Sequence, residues 1–176
     1  LYYGGAAMDN DAKKTALRMI PYGLYVLTAA SKDGSKLAAA TVNWVTQASF
    51  APPLVAVGVK GDSQSHALIE ESGEFVLNII AKGDNGLAFA FFKPSTVEGN
   101  KISGETFAPG SVVKAPVLDK APAHVECKVV ETVKKGDHTL FVAEVVEARV
   151  KTAPTGRADD AICWLKDLGE KVYYGG

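Results

Sequence analysis

The stretch TVNWVTQASFAPPLVAVGVKGDSQSH, residues 41–66, constrains the fold more than any other part of the chain. It reads as two extended segments that meet at a double-proline corner and run straight into a helix start. In the first, Val42, Trp44 and Thr46 fall on one face and Thr41, Asn43, Val45 and Gln47 on the other, the period of a strand. Pro52 and Pro53 have no N–H to give to a ladder, so that strand ends before them. LVAVGV is apolar on both faces, which predicts a strand inside a sheet. Ser63 stands where the cap of the next helix belongs, ahead of Ala67, Leu68 and Ile69. Such a start offers free N–H groups and the positive end of a helix dipole, which suits a phosphate. Lys60, Gly61, Ser63, Ser65 and His66 arrive there together and read as an anion pocket.

Most of the remaining chain is also strand-forming. Residues 9–20 read as a short amphipathic helix, with Ala12, Ala16 or Leu17, and Ile20 on one side, ended by Pro21. GLYVLTAAS and KLAAATVNWVTQ flank Lys32-Asp33-Gly34-Ser35, whose Asp-Gly step signals a hairpin. Ser72-Gly73 closes the helix begun at Ser63, and EFVLNIIA follows as a strand. Asp84-Asn85 caps a short helix, GLAFAFF, whose Phe89, Phe91 and Phe92 read as core packing or an interface. Residues 93–120 are rich in Pro, Gly, Ser and Thr without periodicity and read as a long loop wrapping a site. AHVECKVVETV, HTLFVAEVVEARV, AICWL and KVYY read as closing strands, the first two joined by Lys135-Gly136-Asp137. Many short strands and few helices predict a mainly β fold, an antiparallel barrel with helices packed outside it. Tyr2-Tyr3-Gly4-Gly5 recurs as Tyr173-Tyr174-Gly175-Gly176. Residues 1–7 read as an extension left by processing or cloning, ahead of a single domain over residues 8–176.

A chain of 176 residues suffices for one cored domain and is short for two. Its net charge of −1 and pI near 6.3 leave no basic footprint for nucleic acid. At 47% hydrophobic residues it is too apolar for a disordered chain. No apolar run nears the ~20 residues of a membrane helix and no signal peptide opens the sequence, so a cytoplasmic protein without membrane contact is expected. Cys127 and Cys163 belong to no CxxC pair, which fits buried thiols in a reducing compartment.

GxGxxG, GxxxxGK[ST], HExxH, CxxC and GxSxG are all missing, against a Rossmann domain, a P-loop, a zinc site and a serine hydrolase. His66, His124 and His138 are scattered, so no metal site is expected. One at a time, the polar residues are ambiguous. Ser63 and Ser65 serve equally as ordinary caps, Trp44 as core or as the wall of a planar ligand, and His138 as a turn residue or a group facing a cleft.

In combination, the segments narrow the field. TVNWVTQASFAPPLVAVGVK, SHALIEESGEFVLNII and PVLDKAPAHVECKVVETVKKGDHTLFVAEVVEA, the last with its GDH turn, follow one another as in the flavin reductase-like family, which they resemble. That family folds as an antiparallel FMN-binding split barrel of Greek-key type. The resemblance runs from about residue 20 to residue 174 and is near to the flavin-reductase domain fused to some flavodiiron proteins, here read as standing alone. It implies FMN rather than FAD as cofactor. Asn43, Trp44, Val45 and Thr46 would lie along the ring system, Val59, Lys60 and Gly61 would continue that wall, and Ser63, Ser65 and His66 would hold the phosphate. His138 would be the catalytic residue, orienting the nicotinamide or the reactive face of the flavin. The family often carries arginines in the helix written here as GLAFAFF. With Phe89-Ala90-Phe91 in their place, Lys60 or Lys93 is left as the cation.

The resemblance further implies hydride transfer from NADH or NADPH, with onward delivery to free flavin, ferric iron, oxygen or a partner protein. It also implies a homodimer with flavin near the interface. A flavoredoxin-like carrier, which holds FMN without oxidising NAD(P)H, is the alternative. A binding module that uses haem or no cofactor is a third.

Overall fold

The computed structural model describes residues 7–176, so the extension expected over residues 1–7 lies almost wholly outside the described part. Helix α1 (Asn10–Arg18) is capped by the Asp9 carboxylate, which accepts from the N–H groups of Asp11 and Ala12. It lies on the outside with none of its residues buried, and Leu17 and Ile20 stay exposed. Strands β1 (Tyr25–Ala30) and β2 (Leu37–Val42) form the expected hairpin around Asp33-Gly34. Then follow β3 (Val45–Ser49), β4 (Leu54–Lys60), α2 (Gln64–Ser72), β5 (Glu74–Ile79) and α3 (Asn85–Ala90). A run of short strands, β6 (Val97–Glu98), β7 (Lys101–Ile102), β8 (Glu105–Pro109) and β9 (Pro116–Leu118), leads to the long pair β10 (Ala123–Lys134) and β11 (His138–Val150).

The segment TVNWVTQ, expected as one strand, breaks at Asn43-Trp44. Seven strands form one antiparallel sheet in the order β2-β1-β5-β10-β11-β4-β3. Its two edges, β2 and β3, are joined by Asn43 and Trp44 alone. Six steps of about 4.8 Å would set the edges of a flat sheet about 29 Å apart, and a link this short reaches about 10 Å. The sheet therefore curls until its edges meet. No ladder joins β2 to β3 among the described residues, so the resulting barrel is split at that seam.

Strand β1 is buried along nearly its whole length because both of its faces are covered. Leu27 and Ala29 point into the barrel with Val57, Phe75, Leu77 and Phe141, where α2 adds Leu68 and Ile69. Val26 points the other way, into an outer layer with Leu24, Ile80, Leu87 and Phe91. Phe91 is thus core, as one branch of the sequence reading had it, whereas Phe89 and Phe92 are exposed.

Residues 93–120, expected as loop, contain a four-stranded sheet in the order β6-β7-β8-β9. Strands of two to five residues are too short for alternation to show. Asn78, fully buried in β5, fastens this sheet to the barrel. Its amide donates to the carbonyls of Val26 and Pro116, and its oxygen accepts from the Leu118 N–H at 2.9 Å. Glu126, fully buried in β10, holds residues 111–113. Its carboxylate accepts from the N–H groups of Ser111, Val112 and Val113 and from the Ser111 hydroxyl, at 2.7–2.9 Å. Burial by itself would raise this carboxyl, but the N–H groups of Val113, Val112 and Ser111 together draw it down to about 2.

AICWL and KVYY, expected as strands, form none. The Leu24 N–H donates to the Cys163 carbonyl and the Cys163 N–H to that of Ile80, but only the isolated bridges Gly23–Trp164 and Ala81–Ile162 result. Residues 172–176 have no regular structure. Cys127 and Cys163 are free and buried, and burial pushes their thiols up to about 12 and about 11. Among the described residues no helix is long and apolar enough to cross a membrane, and no three His, Cys, Asp or Glu side chains are grouped to hold a metal ion.

Candidate functional site

Ser63 caps α2 as its position predicted. Its hydroxyl accepts from the His66 N–H at 3.1 Å and donates to the Lys60 carbonyl at 2.8 Å. The helix closes on Gly73, whose φ of 71° is left-handed and favours glycine. A cavity of about 710 Å³ opens beside the start of this helix, well within the range of about 300–1,000 Å³ for small-molecule sites. Ser65 is 2% exposed, and its hydroxyl makes no hydrogen bond to the described residues; the residue lines the cavity. Lys60 and Lys93 bring positive charge to the same wall, with the Lys60 ammonium 3.5 Å from Asp62.

His66 departs from expectation. It lies one turn before Ile69 on the buried face of α2, so its ring turns into the barrel and away from the cavity. There it packs on Phe141, with Nε2 2.7 Å from the Thr139 hydroxyl and Nδ1 3.6 Å from Glu70. Burial, and after it the charge of Lys134, lowers its pKa. Its ring is therefore a core group rather than a phosphate ligand, and only its backbone N–H serves the helix start.

The adjoining wall of the cavity is built by parts of the chain that are far apart in sequence. Antiparallel register sets His138, the first residue of β11, against Lys60, the last of β4. The Gly61 N–H donates to the Asp137 carbonyl at 2.9 Å, so the GDH turn meets the approach to α2. Trp44 lies across β4 at Gly58. The Gly58 N–H donates to the Trp44 carbonyl at 2.9 Å, and a Cβ there would come within 3.2 Å of the indole. From this seat the indole faces His138, centroid to centroid 4.5 Å, and Tyr174 at 5.3 Å. His138 Nδ1 is 2.8 Å from Asp137 Oδ1, and Nε2 is 2.7 Å from the Tyr174 hydroxyl. The Asn43 side chain, 4% exposed, donates to the Tyr174 carbonyl at 3.0 Å.

Asn43, Val59, Lys60, Ser63, Ser65 and His138 all line the cavity, and Trp44, Val45, Thr46, Gly61 and His66 do not. Trp44 stands behind His138. Val45 and Thr46 belong to the edge strand β3, where Thr46 is exposed and its hydroxyl donates to the Gln47 carbonyl. Sequence reasoning missed Tyr173 and Tyr174, which line the cavity from a segment with no periodicity to betray them. Their one signal was a four-residue echo of residues 2–5, and residues 2–5 lie outside the described part.

Comparison with known proteins agrees with this architecture. The family model "Flavin reductase like domain" matches residues 17–166. Diflavin flavoprotein A 1 of Synechocystis sp. is 32% identical over 151 residues, covering 84% of this chain and 25% of that protein. The chain thus spans about a quarter of the length of this relative. Flavin reductase (NADH) of Kitasatospora aureofaciens is 30% identical over 140 residues, covering 79% of this chain and 71% of that one. Among solved structures, the styrene monooxygenase flavin reductase of Pseudomonas putida S12 superposes with a TM-score of 0.65 at 27% identity, covering 81% of this chain and 87% of that one. A mostly antiparallel split barrel, closed on itself at Asn43-Trp44 and matched over residues 17–166, makes this chain a member of the flavin reductase like domain family.

Proposed function

We propose that the chain is an NAD(P)H-dependent flavin reductase that holds FMN in the cavity between the start of α2 and residues 172–174. The observation that carries this is a capped helix start, bearing Ser63 and Ser65 beside Lys60, opening onto a cavity of about 710 Å³. The residues fit the group. The N–H groups of the first turn of α2, the Ser65 hydroxyl and the ammonium of Lys60 or Lys93 would hold the phosphate. Leu24, Val42, Val59 and Phe91 offer an apolar wall to a planar ring. Asn43 lines the same cavity, and its amide, one hydrogen of which goes to the Tyr174 carbonyl, has a second to offer a ring carbonyl. When bound, a flavin accepts the electron pair of a reduced nicotinamide and passes it on. The chain's own task is to bring the reactants together in register and hold them there.

Two observations, one on a relative and one on this chain, support the finer points. The Kitasatospora aureofaciens protein is named for NADH, which favours a nicotinamide donor. The exposed Phe50, Phe89 and Phe92 favour a homodimer with the flavin near its interface. Free flavin, ferric iron, oxygen or a partner protein would be the acceptor.

The test is direct. FMN added to the purified protein should be bound, with quenched flavin fluorescence, and anaerobic NADH or NADPH should bleach its visible absorption. No binding would refute the proposal. Binding without bleaching by either nucleotide would replace the reductase with an electron carrier.

A further inference from the structure

Resting on the flavin-reductase assignment above, we propose that Tyr174 is the polar group that meets the nicotinamide, and that His138 is a positioning residue acting through it. Both ring nitrogens of His138 are already engaged within the chain, Nδ1 by Asp137 at 2.8 Å and Nε2 by the Tyr174 hydroxyl at 2.7 Å. The hydrogen bond from His138, and then its charge, lowers the pKa of Asp137, which is therefore a carboxylate and accepts only. So Nδ1 carries the proton. In the neutral ring Nε2 is then an acceptor, and the Tyr174 hydroxyl donates to it.

This leaves His138 no free ring nitrogen to offer a ligand. The Tyr174 oxygen, by contrast, keeps lone pairs, and the residue lines the cavity. A phenol that donates to an imidazole is polarised into a better acceptor. That suits an N–H donor such as the carboxamide of a nicotinamide. Exposure points the same way: Tyr174 is exposed and His138 half-buried.

Tyr174 is also held in place. Its carbonyl accepts from Asn43 at 3.0 Å and its ring packs on Trp44. Arg18 secures the residues on either side, donating to the Gly175 carbonyl at 3.3 Å and lying 4.3 Å over the ring of Tyr173. A side chain fixed before the ligand arrives loses little entropy on binding.

Two measurements decide the matter. In the ligand-free protein, the imidazole ¹⁵N signals of His138 should report a proton on Nδ1. Tyr174→Phe, which keeps the ring, should release Nε2 and move its signal, and Asp137→Asn should weaken the Nδ1–H form from the other end. An Nε2 signal that Tyr174→Phe leaves in place overturns the hydrogen-bonded chain. With FMN bound, Tyr174→Phe should raise KM for the nicotinamide about tenfold, as loss of one hydrogen bond would, with a smaller effect on kcat. His138→Ala should do much the same, and the double variant no more than either, because both act through one phenol. Additive losses, or a loss in His138→Ala with Tyr174→Phe silent, return the contact to His138 and overturn the proposal. A wild-type protein that neither binds FMN nor oxidises NADH or NADPH refutes the flavin-reductase assignment instead, and the imidazole measurement stands apart from that outcome because it needs no ligand.

Discussion

At the α2 end of the cavity, the polar groups sit within a few residues of one another. Lys60 ends a strand, Ser63 caps the helix and Ser65 lies in its first turn. In the wall next to it, Asn43, Asp137, His138 and Tyr174 converge from three separate parts of the chain, and Tyr174 belongs to no regular element. The first group forms whenever the strand–helix junction forms. The second exists only once the barrel has closed at Asn43-Trp44 and residues 162–165 have bridged to Gly23 and Ala81. The contrast is between a proposed anion site built from short-range backbone geometry and a proposed recognition site built from long-range contacts. Mutations in the two groups should therefore change phosphate binding and nicotinamide binding separately.

The largest expected effect tests the helix end. Replacing Ser65 with Ala removes a hydrogen bond to the phosphate worth about 1.5–3 kcal/mol when the acceptor is charged. FMN should bind about 10- to 100-fold more weakly, while riboflavin, which lacks the phosphate, loses little. Equal losses for the two ligands would place the phosphate elsewhere.

Irregular chain is not always held as Tyr174 is, and Glu126 sharpens that point. Residues 111–113 hang on one buried carboxylate. Glu126→Gln should cost about 1–3 kcal/mol of global stability, read by urea unfolding. The pH dependence has a definite sign. The carboxyl sits at about 2 when folded against an ordinary 4.5. Its contribution is therefore complete above about pH 4.5 and disappears as the pH falls towards 2. The variant should show a shallower acid slope in that window, and an unchanged slope would contradict the role given to Glu126.

A smaller effect should follow from Asn43→Ala. Loss of the bond to the Tyr174 carbonyl is worth about 1 kcal/mol, enough to speed local opening about fivefold. Tryptic cleavage after Lys171 should accelerate accordingly with little change in Tm. A constant cleavage rate would mean that the stacking on Trp44 and the contacts of Arg18 hold the segment without Asn43.

How much of this was legible beforehand follows the same division. The Asp33-Gly34 hairpin, the caps at Ser63 and Asp84, the glycine stop at Gly73 and the long pair around the GDH turn are local matters, and each formed where its residues indicated. The small sheet over residues 97–118 went unread because its strands are too short for alternation. His66 was misplaced for a different reason. Its spacing from Ser63 places it at the helix start, but whether a ring there faces solvent or core depends on what Ile69 packs against one turn later. Tyr174 carried no local signal.

Backbone rules acting over a few residues, such as what a proline forbids, what a serine caps and where a glycine turns, are written in the sequence, and they determined the β-rich fold, the helix start and the position of the proposed anion site. Which side chains share the remaining wall was decided by the tertiary structure. Barrel closure brings residues more than 130 positions apart within 3.0 Å, as Asn43 and Tyr174 show, and no pattern along the chain encodes a distance that only closure creates.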